Sequence, residues 1–424
     1  MCGDRCFCCF RCCGCCCAGG EAPLVVTGEC CSVSDSTRRL LVFVNPKSGA
    51  GKGAFVFKHK IFPALTEQAI GFDSEFSGHA ATIVATREDL LDFDAICVLS
   101  VHSFHSFLLF WVLNALLKRP DAAHLLLRVP FAVVPCGSGN GLLSSSIFCP
   151  LRSLVCFRLP IGNDVFVSTA VHALANPKAV SLPVNLIKIQ TPGRTVGSFL
   201  SIGWGLLAEI DIESESLRTI CGGNRFFWGA LWRVAFLRSY RARLSFLEAP
   251  PDLPPEAADE RSVYGERSIR KQPGKKEALE EADPWEPRVH FDVPGLEQPI
   301  PADWTTIEGE FVAVYALSTS HISNVNIYAA DSQLNEQQIH LTFILKHEIP
   351  SRAAVVKFLT AIETHQHLEL PICHYKKVRA FRLEPLDEHK RSPFVVDGEL
   401  IPDVAGPQKL QAVVSSLCMR VLTE

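Results

Sequence analysis

Two glycine-rich loops carry the first chemical signal in this chain. One reads Asn45-Pro46-Lys47-Ser48-Gly49-Ala50-Gly51-Lys52-Gly53, the other Gly137-Ser138-Gly139-Asn140-Gly141. Glycine lets backbone N–H groups approach a phosphate closely, and a helix starting behind the loop adds positive potential. Neither loop is a Walker A motif, because Lys52 is followed by Gly53 rather than Ser or Thr. Neither carries the full Gly-x-Gly-x-x-Gly dinucleotide fingerprint. Each alone also fits a tight strand-to-helix turn. Two of them at strand ends of one α/β segment favour nucleotide binding. A third signal is the acidic run Glu209, Asp211, Glu213 and Glu215. On residue type alone such a run is what a solvated face looks like.

These residues need elements to hold them. Residues 39–45, 94–100 and 129–135 are short apolar runs of the kind found in buried parallel strands. Residues 54–68 and 107–119 have helical spacing. Strand, loop and helix alternate, which predicts an α/β domain over 39–163 with a mainly parallel sheet. From residue 164 the pattern turns to strands, at Val165–Ser168, Val184–Lys188, Gly197–Ile202 and Arg243–Phe246. They resume at Glu310–Ala316, Gln338–Leu345, Lys377–Leu383 and Phe394–Val396. Between them, about 250–301 is rich in proline and in both charges and reads as a solvated insertion. The expectation is a β-rich second domain over 164–424, interrupted once.

Composition narrows the class. The chain has 424 residues, a net charge of −4, 48 % hydrophobic and 20 % charged residues. That balance excludes a strongly basic nucleic-acid binder and global disorder. The longest apolar run, 107–117, falls short of the roughly 18–20 residues that span a bilayer. No secretory signal is expected, since Arg5 and Arg11 are not followed by an apolar stretch. Half of the 18 cysteines lie within residues 2–17. This is not the spacing of a secreted disulfide scaffold, and the body reads as cytoplasmic. For the tail, 1–38, three readings stay open. Cys12, Cys13, Cys15, Cys16 and Cys17 beside Phe10 and Arg11 suit reversible acylation at a membrane. A low-complexity tail fits equally, and metal binding fits less well for want of ordered spacing.

The motifs together resemble a known family. Asn45–Gly49 with Gly51-Lys52-Gly53, then Gly78-His79-Ala80, then Pro135–Asn140 are similar to the catalytic domain of diacylglycerol-kinase-type lipid kinases. Gly203-Trp204-Gly205 through Glu215, Ala380–Pro385 and Val396-Asp397-Gly398-Glu399 narrow the resemblance to sphingosine kinases, over about residues 39–400. It implies an α/β nucleotide-binding domain, a β-sandwich lipid-binding domain and an active site in the cleft between them. It also implies transfer of the γ-phosphoryl of ATP, with Mg2+, to the primary hydroxyl of a sphingoid base. By position Asn45, Pro46, Lys47, Ser74, Ser100, Gly137, Ser138 and Gly139 would lie at ATP, with Asp397, Gly398 and Glu399. Arg218 and Arg225 would meet phosphates, Arg225 standing one residue beyond the family spacing. Asp211 would take the amino-alcohol head group. No metal ligand set is expected from the protein alone. Diacylglycerol kinases proper usually bring cysteine–histidine zinc modules, which this sequence lacks; ceramide kinase shares much of the catalytic pattern and stays open.

One window departs from the family. After Leu99 the resemblance calls for Ser/Gly-Gly-Asp-Gly and a downstream Glu, the Asp being the base for the lipid hydroxyl. The chain instead reads Ser100-Val101-His102-Ser103-Phe104-His105-Ser106-Phe107, and the pattern resumes at Val112-Leu113-Asn114. His102 stands where the Asp belongs. An imidazole can accept a proton near neutral pH, but Val101 and Ser103 bring Cβ atoms where bare backbone is needed. The loss is contiguous, as a misread exon boundary or a catalytically silent isoform would leave it. Such an isoform would act as a lipid- or nucleotide-binding regulator.

A last stretch, 231–243, mixes Arg233, Arg238, Arg241 and Arg243 with Trp232, Phe236 and Tyr240. The ordinary arrangement packs Trp232, Phe236 and Leu237 onto the lipid domain with the arginines in solvent. The alternatives are a surface for a regulatory protein or for a membrane, the latter making the protein peripheral at membranes.

Overall fold

The computed structural model describes residues 39–44, 53–67, 71–76, 80–100, 108–135, 140–148, 163–176, 178–221, 224–250, 293–324, 326–387, 389–402 and 408–423. The chain divides into two compact units. One comprises 1–146, 156–182 and 419–424, the other 147–155 and 183–418.

In the first unit, β1 (Arg39–Val44), β2 (Gly71–Phe76), β3 (Ala95–Ser100) and β4 (Phe131–Pro135) form a parallel sheet in the order β2-β1-β3-β4. Parallel strands buried on both faces need apolar residues throughout, and Leu40 to Phe43 are all fully buried. A π-helical turn, Phe57–Ile61, runs into α1 (Phe62–Glu67). Then come α2 (Ala80–Thr86), α3 (Leu108–Leu116), α4 (Ala122–Arg128), α5 (Gly141–Phe148) and α6 (Asn163–Ala175). Alternate strand residues share a face. Leu40, Val42 and Val44 of β1 and Ala95, Cys97 and Leu99 of β3 accordingly pack with Ile61, Leu65, Val167, Ala170 and Leu174.

That contact corrects one expectation. Val165–Ser168, expected as a strand, lies within α6. Four residues are too few to separate a period of 2 from one of 3.6. The longer set Phe166, Val167, Ala170, Ala173 and Leu174, all buried, has helical spacing.

The second unit is built on antiparallel strands. They are β5 (Val180–Thr191), β6 (Arg194–Ser198), β7 (Ser201–Gly205), β8 (Tyr240–Glu248), β9 (Thr305–Leu317), β10 (Ile339–Leu345), β11 (His374–Pro385), β12 (Phe394–Val396), β13 (Glu399–Ile401) and β14 (Leu410–Thr423). Residues 419–424, at the end of β14, belong to the first unit. The stretch 197–202, expected as one strand, is instead divided between β6 and β7. The long strands β9 and β11 each serve two partners. β9 pairs with β8 through its first half and with β10 through its second. β11 does the reverse, pairing with β10 first and then with β8. The four strands so close a ring. Phe343 sits inside it, its ring centroid 6.3 Å from that of Phe246 and 6.1 Å from that of Phe311. Closing the ring leaves no free edge among these strands.

Arg382 of β11 explains part of the Ala380–Pro385 motif. Its buried guanidinium donates to the carbonyls of Gln298 at 2.6 Å and Gly295 at 2.8 Å, and to Gln411 Oε1 at 2.8 Å. It therefore pins the segment Gly295–Gln298 to β11. Three helices complete the unit: α7 (Leu206–Ser214), α8 (Arg225–Ala235) and α9 (Arg352–Glu363).

Candidate active site

In the first unit the strand order reverses between β1 and β3, which are direct neighbours. In open α/β sheets ligands bind outside the carboxyl ends of the strands at such a switch point. Segments 45–52, 101–107 and 136–139 follow β1, β3 and β4, three adjacent strands. The described ends of β1, β3 and β4, Val44, Ser100 and Pro135, thus lie at one edge of one sheet. Asn45, Pro46, Lys47, His102, Gly137, Ser138 and Gly139 themselves lie outside the described residues, as do the N-terminal cysteines. Ser74 pairs with Val42 in β2, and Ser100 ends β3 beside Pro135.

The helices behind these segments are well built. In α5, directly after 136–139, three buried serines bond to their own helix: Ser144 Oγ to Asn140 O, Ser145 Oγ to Gly141 O and Ser146 Oγ to Leu143 O, at 2.8–2.9 Å. Such back-bonding satisfies polar groups that burial would otherwise penalise. In α3, directly after 101–107, Val112 and Leu113 are fully buried and Asn114 Nδ2 donates to Phe110 O at 2.9 Å.

The second unit places the acidic run. β7 turns into α7 at Gly205, whose φ is +79°; a Cβ there would stand 2.4 Å from the carbonyl oxygen of Val312. Only glycine fits that turn. α7 then lies across α8 at very short range. A Cβ on Gly229 would come within 2.8 Å of the Ser214 Cβ. Ion pairs flank this crossing. On one side the Arg225 guanidinium, 5 % exposed, reaches Glu215 Oε2 at 2.8 Å, Ser214 Oγ at 2.9 Å and Asp211 Oδ1 at 3.6 Å. On the other, buried Arg233 meets Glu209 at 3.4 Å and Glu213 at 3.0 Å. The Tyr240 hydroxyl also donates to Glu209, and burial with that bond raises the Tyr240 pKa above the usual phenol range. Buried charges persist only when paired in this way. Asp211, one of the acidic candidates, keeps its side chain 22 % exposed. Arg218 opens a helical turn, Arg218–Cys221. The layer of Glu209, Arg233 and Tyr240 was not singled out from sequence, since no spacing rule links α7, α8 and β8.

The helix over 231–243 reverses its expected orientation. It ends at Ala235, and Tyr240–Arg243 already belong to β8. Arg233 points inward, while Trp232 and Phe236 are each 55 % exposed, with Phe227, Trp228 and Leu231 also exposed. The cause is α7, whose carboxylates Glu209 and Glu213 draw Arg233 in. Ala230 and Val234 take the place of Trp232 and Phe236 in the apolar contact to the core, while Leu237 packs there as expected. Because α8 is apolar on both sides, periodicity alone could not choose between them.

The Val396–Glu399 motif forms a two-residue turn between β12 and β13. Asp397 and Gly398 both adopt positive φ, +51° and +79°, the pattern that asparagine or aspartate followed by glycine favours. Asp397 is fully buried. Its carboxylate accepts the Ser198 hydroxyl at 2.8 Å and the N–H groups of Phe199 at 3.0 Å, Leu200 at 2.9 Å and Ser201 at 2.9 Å. Burial outweighs these bonds and pushes its pKa up to about 6. Glu399 is 6 % exposed.

Known proteins resemble this chain in sequence and in fold. No protein-family model matches the chain. Sphingosine kinase 1 of Caenorhabditis elegans is 32 % identical over 378 residues, covering 85 % of this chain and 77 % of that protein. Human sphingosine kinase 1 is 31 % identical over 370 residues, covering 86 % of each. Human sphingosine kinase 2 is 27 % identical over 465 residues, covering 86 % of this chain and 68 % of its own. Among solved structures, a diacylglycerol kinase of Bacillus anthracis superposes with a TM-score of 0.50 at 11 % identity, over 92 % of this chain and 98 % of that one. At that identity the likeness speaks for the fold alone. Identity above 30 % over 85–86 % of this chain and 77–86 % of those proteins speaks for more, and the α/β unit followed by a β-rich unit agrees with it: the chain belongs to the sphingosine kinase family.

Proposed function

We propose that this chain binds ATP, brought as its Mg2+ complex, together with a sphingoid base. The reaction of its fold is transfer of the γ-phosphoryl group to the primary hydroxyl of that base. The observation that carries this reading is Asp211, a partly exposed carboxylate held in place by a buried arginine. A protonated amine presented to it gains a charge-assisted bond in a site already ordered for it. For the nucleotide we carry over Asn45, Pro46, Lys47, Ser74, Ser100, Gly137, Ser138 and Gly139, and likewise Arg218, Gly398 and Glu399, each by its place in the family pattern. Arg225 is assigned to Asp211 rather than to phosphate, because Asp211, Glu215 and Ser214 already surround it. Mg2+ takes its oxygens from phosphate and water and belongs to the substrate.

In the transfer, the lipid oxygen attacks the γ-phosphorus, the bond to ADP breaks, and the hydroxyl proton passes to a base. In this chain the base position holds His102. Loss of a positioned base costs about 10²–10⁴ in rate, so the second reading, a binder with little turnover, is favoured by the sequence of residues 101–107. Docking to a membrane surface completes the proposal. Trp228 and Trp232 of α8 are exposed, and Arg238 and Arg241, paired with Glu213 and Glu308, follow a few residues on in sequence; amphipathic aromatics with basic residues suit an anionic phospholipid surface. Among the described residues no helix is long and apolar enough to cross a membrane.

The amine reading is tested by sphingosine binding in mixed micelles. Asp211→Asn is expected to weaken sphingosine at least about tenfold, the worth of one charge-assisted bond, with ATP affinity unchanged. Equal sphingosine binding by both proteins would contradict it.

A further inference from the structure

Asp397 sits in the motif that the resemblance assigns to ATP, yet its carboxylate faces the protein interior. All four of its donors come from one short stretch, Ser198–Ser201, at the start of β7. Its own N–H donates to Ser201 O at 2.8 Å, closing the contact from both sides. At the other end of β7, the buried Ser392 hydroxyl accepts the Gly205 N–H at 2.9 Å. Between these contacts β12 pairs with β7, Val395 opposite Gly203 and Val396 opposite Ile202. Residues 392–397 therefore bracket the whole of β7, the strand that runs through Gly205 into α7.

The bracket also accounts for the backbone at the turn. A left-handed residue other than glycine costs on the order of 1–2 kcal/mol. Four hydrogen bonds to an ionised carboxylate offset that cost and hold Asp397 in place. A side chain so enclosed has no reach to a nucleotide, but it sets where Gly398 and Glu399 stand.

We infer that Asp397 is a positioning residue that fixes the Gly398–Glu399 turn to β7 through the Ser198–Ser201 stretch, and does not itself touch the nucleotide. The inference rests on the reading above, in which Gly398 and Glu399 face ATP. Asparagine at 397 would put an amide donor among four donors. Alanine at 198 would remove only one bond and leave the backbone bonds intact.

The test measures MgATP affinity by calorimetry and sphingosine affinity in mixed micelles for the full chain, Asp397→Asn, Ser198→Ala and the double variant. Asp397→Asn is expected to weaken MgATP about tenfold or more, and Ser198→Ala by a few-fold. The double variant should match Asp397→Asn alone, because both changes break one contact. Sphingosine affinity should move less than about twofold in all three. Additive losses, or a silent Ser198→Ala beside a large Asp397→Asn effect, would mean that Asp397 meets the nucleotide directly. Equal losses of both ligands would mean a general structural role. Either result overturns the inference. If Asp397→Asn does not fold, Ser198→Ala carries the test, and unchanged MgATP affinity in it refutes the positioning role. A wild-type chain without MgATP affinity would remove the reading beneath the inference and the inference with it, an outcome distinct from wild-type binding that the variants leave untouched.

Discussion

A guanidinium held between Asp211 and Glu215 and capped by Ser214 is worth more as a brace than as a mobile phosphate clamp. Removing one partner of a buried ion pair strands the other, at a cost of about 3–5 kcal/mol. Arg225→Ala should therefore lower the unfolding free energy by about 3 kcal/mol in a denaturant titration. It should also weaken sphingosine more than ATP, since Asp211 loses its orientation. Arg225→Lys should recover part of both, because a point charge cannot bridge two carboxylates as a planar fork does. A larger effect on ATP than on sphingosine would return Arg225 to the phosphates. At this scale the sequence was half legible. Asp211 was legible only through the family resemblance, because the acidic run around it looks by type like a solvated face. Its brace was not legible, because Arg225 lies on another helix, and no spacing within one element announces a contact between two. The inward aim of Asp397 was equally hidden, since the Asp-Gly turn names a backbone shape and not the donors that the carboxylate finds.

Among the elements, the parallel strands were the most legible, because burial on both faces leaves an uninterrupted apolar run in β1, β3 and β4. The three residues of β12 coincide with the expected strand. Three elements depart from expectation: the stretch 197–202, which divides between β6 and β7, and two whose departure has a plain physical reason. α6 was sampled over too short a window to show its period. α8 was judged by its aromatic residues, whereas the carboxylates of α7 decide which side turns in. That inversion leaves Trp228 and Trp232 in solvent. Trp228→Ser with Trp232→Ser should reduce sedimentation with phosphatidylserine-containing vesicles at least about tenfold, given that each buried aromatic contributes roughly 1.5–3 kcal/mol. The melting temperature should hold, since neither side chain packs into the core. Undiminished vesicle binding would instead direct attention to a regulatory protein at the same face.

The whole molecule keeps two histidines neutral. Burial pushes His321 and His367 down to about 4, below the ordinary value near 6.5. The unfolded chain thus binds protons that the native chain refuses as pH falls from about 6.5 to 4, and stability falls with it. Asp397, raised to about 6, works in the opposite sense below pH 6. With two histidines against one carboxylate the net loss stands, and it is steepest between about pH 6 and 5. Thermal unfolding should show the melting temperature falling over that range, and His367→Phe should flatten the slope. A profile that rises toward pH 4 would contradict the assignment. The most direct measurement addresses the proposal that the family fold is kept while phosphoryl transfer is impaired at residues 101–107. Transfer of labelled γ-phosphate from ATP to sphingosine would be compared between this chain and a version carrying Gly-Asp-Gly and the downstream Glu in that window. The account predicts sphingosine binding by both, with transfer by the unaltered chain lower by about 10²-fold or more. Equal transfer rates would contradict it, and would place the proton acceptor on a residue outside the window.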